Sequence, residues 1–314
     1  MTINYKIYFF CLFIFPILGY AQNSKFIDRG KDTIHYRVFS SSSNNPIILI
    51  INGGPGLDSK GFESVAKELQ KTNTTILYDQ RGTGKSTLHS INAKNLTMDL
   101  MLEDLESIRK ELKITEWIIF GHSFGGMLAA HYASNYPNKV KALILSSSGG
   151  IAIKSILSID INTKLSKIEQ DSLNFWMNKI NSGDTTYHAR YYRGKYLASA
   201  YIKDKSYVNS IAHRLTQVNF KINQLIIQDM SSMNFDCSEA LKSFSKPVLI
   251  VNGKEDIIPV EITEETHQIF PNSELVLLDN CAHYGWLDHP RKYYTSISKF
   301  LKSINSQFEK SSLK

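Results

Sequence analysis

Apolar residues along this chain fall into two alternating patterns. Short, mostly apolar runs occur at Pro46 to Ile51, Thr75 to Tyr78, Trp117 to Phe120, Lys139 to Leu145, Pro247 to Asn252 and Glu274 to Leu278. Runs of this length and composition suit strands of a parallel sheet, whose two faces are both covered. Between them lie segments with helical spacing: Phe62 to Leu69, Met127 to Tyr132, and Met98 to Leu112 with Leu100, Leu105, Ile108 and Leu112 as its apolar positions. Ile34 to Phe39 instead alternates apolar and polar residues after a Gly30-Lys31-Asp32 turn, the signature of the second arm of an opening hairpin. A helix over Pro290 to Leu301 closes the series. The alternation predicts an α/β protein, with a mostly parallel sheet joined by right-handed crossovers and flanked by helices.

Residues 151–236 interrupt this rhythm. They are helical in pattern, contain no short buried run, and carry tyrosines at 187, 191, 192, 196 and 201. An inserted helical cap over residues 151–236 is therefore expected, entered through Ser146 to Gly150 and left through Phe235 to Lys246. The sheet-bearing core then comprises residues 22–150 and 237–314. A tyrosine stripe at helical spacing serves packing more often than recognition, although rings in a cap can also form pocket walls.

The first 21 residues read as an address. Lys6 supplies a positive start, Ile7 to Leu18 is apolar, and Gly19-Tyr20-Ala21 places small residues where a signal peptidase cuts, with cleavage expected before Gln22. The competing reading is a retained anchor. It needs roughly 20 apolar residues, whereas this run has about a dozen and contains Pro16. An exported, periplasmic or secreted protein without stable membrane insertion is the expectation.

Composition narrows the partners. With 314 residues, 42% hydrophobic and 21% charged, the chain has the profile of a soluble globular protein with a sizeable core. Its formal charge of +7 comes from lysines scattered along the sequence rather than a basic run, which argues against a nucleic-acid footprint. Of three cysteines, Cys11 would leave with the signal. Cys237 and Cys281 remain, either bridged or as two buried thiols. No His, Cys, Asp or Glu spacing resembles a metal site, and no cofactor is expected.

Candidate chemistry gathers on loops that follow the strands. Gly121-His122-Ser123-Phe124-Gly125-Gly126 joins the run Trp117 to Phe120 to a helix with a small-residue face at Gly126, Ala129, Ala130 and Ala133. A serine on so sharp a turn points its oxygen out of the fold, and flanking glycines remove the side chains that would collide. Ser123 is the candidate nucleophile. Asn52-Gly53-Gly54-Pro55-Gly56 follows another strand, and its bare backbone allows amides to approach a ligand closely. The amides of Gly54 and Phe124 are the candidate oxyanion donors. Asp79-Gln80-Arg81-Gly82-Thr83-Gly84-Lys85-Ser86 resembles a phosphate loop only superficially, because Asp79 stands where that motif requires glycine. It is read as a structural turn with an Arg81–Asp79 ion pair.

A serine hydroxyl needs a base. Asp256, in Gly253-Lys254-Glu255-Asp256-Ile257-Ile258-Pro259, and His283, in Asp279-Asn280-Cys281-Ala282-His283, both follow strands on the edge where parallel sheets place their sites. His283 is the candidate base and Asp256 its orienting acid. The rivals are Glu255, one residue earlier in its loop, and His122, whose side chain should diverge from that of Ser123. His131, two turns into a helix, is read as a packed or surface residue.

Together these motifs, over about residues 24–303, resemble the α/β-hydrolase fold and, within it, proline iminopeptidase-like serine peptidases. The resemblance implies release of an N-terminal residue, often proline, from small peptides through an acyl-enzyme. In that family a histidine usually stands at the position of Asn52, and acidic side chains of the cap hold the substrate amine, in some members with a glutamate where Ile257 stands here. Asn52, Gly53 and Asp229 are the candidate substrate contacts. A carboxylic-ester, lactone or amide hydrolase on the same triad, and a non-catalytic ligand receptor on the same fold, are the alternatives.

Overall fold

The computed structural model describes residues 23–312, so the proposed signal segment lies outside the described residues. Eight strands form one sheet in the order β1-β2-β4-β3-β5-β6-β7-β8. β1 (Asn23–Asp28) and β2 (Thr33–Phe39) make the expected hairpin, and β2 runs antiparallel to β4 (Thr75–Tyr78). β3 (Ile48–Ile51), β5 (Trp117–His122), β6 (Val140–Ser146), β7 (Val248–Gly253) and β8 (Ser273–Leu278) complete a run of parallel pairs with β4. Strand positions differ from the sequence reading by only one or two residues at each end.

Helices α1 (Glu63–Leu69), α2 (Met98–Glu111) and α3 (Phe124–Asn135) connect the central strands. Between β6 and β7 come α4 (Ile153–Leu157), α5 (Lys167–Asn181), α6 (Tyr187–Tyr201), α7 (Val208–Leu215), α8 (Phe220–Ser232) and α9 (Ser238–Leu241). The core ends with α10 (Val260–Ile269), α11 (Gly285–Asp288) and α12 (Pro290–Ser312).

The period of two along each strand divides the core in half. Ile48 and Ile50, Ile118 and Phe120, and Ala142 and Ile144 face one side, where α1 and α12 pack. Leu49 and Ile51, Trp117 and Ile119, and Leu143 and Leu145 face the other, against α2 and α3. The buried stripe of α2 is Met98, Met101, Leu102, Leu105 and Ile108, so the apolar face is rotated from the expected one and Leu100 and Leu112 lie at its margins.

The insertion enters and leaves through a narrow neck. Ala152 and Asp236 form an isolated antiparallel bridge, and the Ile153 amide donates to the Phe235 carbonyl at 2.7 Å. α5, α6 and α7 pack on one another above the sheet edge. α8 behaves differently: Ile222, Ile226 and Met230 join the core beside α2. Arg81 corrects a sequence expectation here. It pairs with Asp104 of α2 through two contacts of 2.7 and 2.8 Å, while Asp79 accepts from Ser59, His35 and the Lys85 amide. The two side chains of the turn leave in different directions, one toward α2 and the other toward β2. Burial alone would raise the Asp79 pKa, but the hydrogen bonds from Lys85, Ser59 and His35 hold it below the ordinary value. Gly84 is required on this loop because a Cβ there would meet Asp79 Oδ2 at 2.3 Å.

Candidate active site

β3 is flanked by β4 on one side and β5 on the other, so the connections leaving β3 and β5 diverge. A crevice opens at the carboxyl ends of such strands. The loop Asn52 to Gly56 and the turn carrying Ser123 meet there.

The turn is held in a conformation that side chains rarely adopt. Ser123 has φ 54° and ψ −122° immediately before α3. A Cβ on Gly121 would meet the Gly125 carbonyl oxygen at 2.3 Å, and one on Gly125 would meet the Ile51 carbonyl oxygen at 2.2 Å. Only glycine fits at these points, so the turn presses directly on the end of β3. The Ser123 amide donates to Ser146 of β6, and the Gly126 and Gly149 amides donate to the Ser123 carbonyl. The backbone is thus fixed while the serine side chain reaches a cavity of about 140 Å³.

The floor of this cavity comes from the core. Gly53, Gly54, His122, Ser123 and His283 line it. The His283 Nδ1–H donates to Asp256 Oδ1 at 2.8 Å, and the same oxygen accepts the Ile258 amide at 3.0 Å. Asp256 is 0% exposed, sealed behind the imidazole. The His283 amide donates to the Tyr201 carbonyl, which ties the histidine loop to the cap. Glu255 turns away and accepts the Cys281 amide at 2.9 Å, bracing the two loops against each other. Among the described residues, neither the Gly54 nor the Phe124 amide donates to a main-chain carbonyl in a turn or loop. Phe124 opens α3, where the first amides of a helix lack intrahelical acceptors.

His122 does line the cavity, contrary to the expectation that it would diverge from Ser123. Its ring lies 4.6 Å from that of His283 and against Tyr284 and Trp286. Burial, with the neighbouring His283, depresses its pKa well below the usual histidine value. Among the described residues no carboxylate is bonded to its ring; its one hydrogen-bonding contact is with Ser146 at 3.5 Å. His131 is buried in α3, against Asp99 and Phe235.

The roof comes from the cap. Arg193, Leu197 and Tyr201 recur every four residues on α6 and face the cavity as one stripe, joined by Arg214 and Leu215 at the end of α7. The other tyrosines pack: Tyr192 stacks on Trp176, and Tyr187 and Tyr191 lie on His213. Arg214 donates to the Asp58 carboxylate at 3.1 Å and to its carbonyl at 2.7 Å. Asp288 stitches roof to floor, one oxygen accepting the Ala282 amide and the other the Lys203 and Asp204 amides. Sequence reasoning missed Arg193 and Asp288. The spacing of Arg193, Leu197 and Tyr201 was the available signal for the first; nothing local pointed to the second.

Two proposed substrate contacts are corrected. Asn52 is fully buried, and its side-chain amide bonds the Gly53 and Leu57 carbonyls at 3.0 Å, bracketing its own loop instead of facing the cavity. Gln80 braces the same loop by donating to the Asn52 carbonyl. Asp229 lies on α8 outside the cavity lining, and its carboxylate accepts the Met98 amide at 2.8 Å, which caps α2. Gly53 does line the cavity. Cys237 and Cys281 are buried free thiols. Among the described residues there is no metal-holding cluster of His, Cys, Asp or Glu, and no helix long and apolar enough to cross a membrane.

This sheet, cap and loop arrangement defines a class of protein, and residues 46–290 match the α/β hydrolase fold family. The chain belongs to that family and is an enzyme of the serine hydrolase type. It is similar to a proline iminopeptidase of Heyndrickxia coagulans, 27% identical over 293 residues, covering 89% of this chain and 98% of the relative. The crystal structure of proline iminopeptidase from Mycobacterium smegmatis superposes with a TM-score of 0.71 at 18% identity, covering 91% of this chain and 99% of that one. A thermophilic esterase from Thermogutta terrifontis superposes with a TM-score of 0.67 at 18% identity, covering 90% and 99%.

Proposed function

We propose that Ser123 attacks a carbonyl carbon of a small acyl substrate and that water then releases the acyl group. In this scheme His283 takes the Ser123 proton and returns it to the leaving group, while Asp256 fixes the imidazole tautomer and stabilises its charged form. The amides of Gly54 and Phe124 stabilise the oxyanion. The observation that carries the reading is the 2.8 Å bond from His283 to a sealed Asp256, in a cavity that Ser123 shares.

Release of N-terminal residues from small peptides is the activity that the named iminopeptidase relatives support. A second reading, hydrolysis of an ester or amide without a free amine, is favoured by one feature of the roof. The side chains lining the cavity include two arginines and no aspartate or glutamate, the groups that would hold a substrate ammonium. Purified protein assayed on proline and alanine arylamides beside short p-nitrophenyl esters separates the two. Ester turnover without arylamide turnover contradicts the aminopeptidase reading, and full activity of Ser123→Ala on every substrate contradicts the mechanism.

Export is part of the proposal, supported by Lys6, the apolar run Ile7 to Leu18 and the small residues at 19 and 21. A mature protein beginning at Met1 or Thr2 on N-terminal sequencing would contradict it.

A further inference from the structure

The two guanidinium groups lining the cavity are not equivalent. Arg214 is committed to Asp58 by an ion pair and a main-chain bond. Among the described residues Arg193 has no ion pair or hydrogen bond, and no carboxylate acts on it. Its guanidinium lies over the Phe220 ring, 4.7 Å from the centroid. That contact is not a hydrogen bond, so the N–H donors remain available in the fork geometry that fits a carboxylate. Within the lining the formal charge of Arg193 is uncompensated, because Asp256 lies sealed behind His283.

With Arg214 neutralised by Asp58, an ammonium group entering this cavity would meet the uncompensated Arg193 charge and no lining carboxylate, a repulsion strengthened by partial burial. An anion would supply what Arg193 lacks. We propose that the cavity accepts a small amide or ester that bears a free carboxylate, and that Arg193 holds this carboxylate while Ser123 attacks the carbonyl. The inference rests on the acyl-transfer reading of Ser123 and names the substrate class for that site. The carboxylate is read but unchanged: the new bonds are those of ordinary acyl transfer, with the leaving group protonated through His283.

The carboxylate could belong to the acyl part or to the leaving part of the substrate, and two matched pairs distinguish these. The p-nitrophenyl monoester of glutaric acid is compared with p-nitrophenyl valerate, and prolyl-glycine with prolyl-glycinamide. The wild type is expected to prefer the anionic member of one pair through a lower KM. In Arg193→Met that preference falls by about tenfold or more, and Arg193→Lys restores part of it. Equal KM within both pairs, or a loss in Arg193→Met that leaves the preference intact, overturns the inference while leaving acyl transfer standing. Calorimetric titration of glutarate alone gives a readout independent of turnover. Binding to the wild type that is lost in Arg193→Met supports the anion site, and absence of binding to the wild type contradicts it.

Discussion

The floor and the roof of the cavity are built on different principles. The floor is backbone: a strained serine turn, a glycine loop and two loop residues bonded at 2.8 Å, all hung on the ends of parallel strands. Its geometry tolerates almost no change, since neighbouring carbonyl oxygens stand within 2.3 Å of where a Cβ would go on Gly121 and Gly125. The roof is side chain: one stripe of α6 and the end of α7, whose residues could be exchanged without breaking a strand. On the proposed mechanism, the floor sets reaction type and the roof substrate choice. Changes to the floor should slow every substrate alike, and changes to the roof should reorder them.

The largest expected effect tests that division at Asp256. Asp256→Asn leaves the shape intact but favours the wrong imidazole tautomer, and kcat should fall by about 10³ to 10⁴ on arylamide and ester alike. Steady-state kinetics on both substrates checks this; a loss confined to one substrate would move Asp256 into substrate selection. Gly125→Ala is expected to destabilise the fold by about 3 kcal/mol, because the new methyl must displace the end of β3. Denaturant unfolding measures it, and a change below about 0.5 kcal/mol would show that the turn is not under the constraint described.

The smallest effect concerns pH. His122 has a folded-state pKa well below the ordinary histidine value of 6.5, because burial disfavours its charged form. The unfolded chain therefore binds the extra proton, and stability present above pH 6.5 declines as pH falls below it. His122→Phe, which keeps a ring in the same aromatic cluster, should flatten that decline. The drop in Tm between pH 7.5 and 5.5 should shrink by roughly 1–2 °C, the scale of 1 kcal/mol in a protein of this size. An identical drop in both proteins would assign the acid sensitivity to other groups.

Most of the floor was legible before the fold was known, for a physical reason. Buried parallel strands are short apolar runs, and active-site loops follow them directly, so position alone singled out Ser123 and His283, which share one cavity, and Asp256, bonded behind His283. The misreadings share the opposite cause. Arg81, Asp229 and Asn52 each carry a polar group whose partner is distant in sequence or belongs to the main chain: Asp104, the Met98 amide, and the Gly53 and Leu57 carbonyls. No local pattern announces such partners. Arg193 lines the cavity only because α6 packs on α7 in one rotational setting, with Gly194 so close that a Cβ would stand 2.8 Å from the Ala212 carbonyl oxygen. The stripe was visible as a spacing, but its direction depended on that packing.

The central claim is that Ser123 is the nucleophile of an acyl-transfer site. A fluorophosphonate probe followed by peptide mass spectrometry tests it most directly, since the probe bonds only to a serine activated by a neighbouring base. The account predicts stoichiometric modification at Ser123, abolished in Ser123→Ala and strongly slowed in Asp256→Asn. Modification at another serine, or equal labelling of the Ser123→Ala protein, would contradict it.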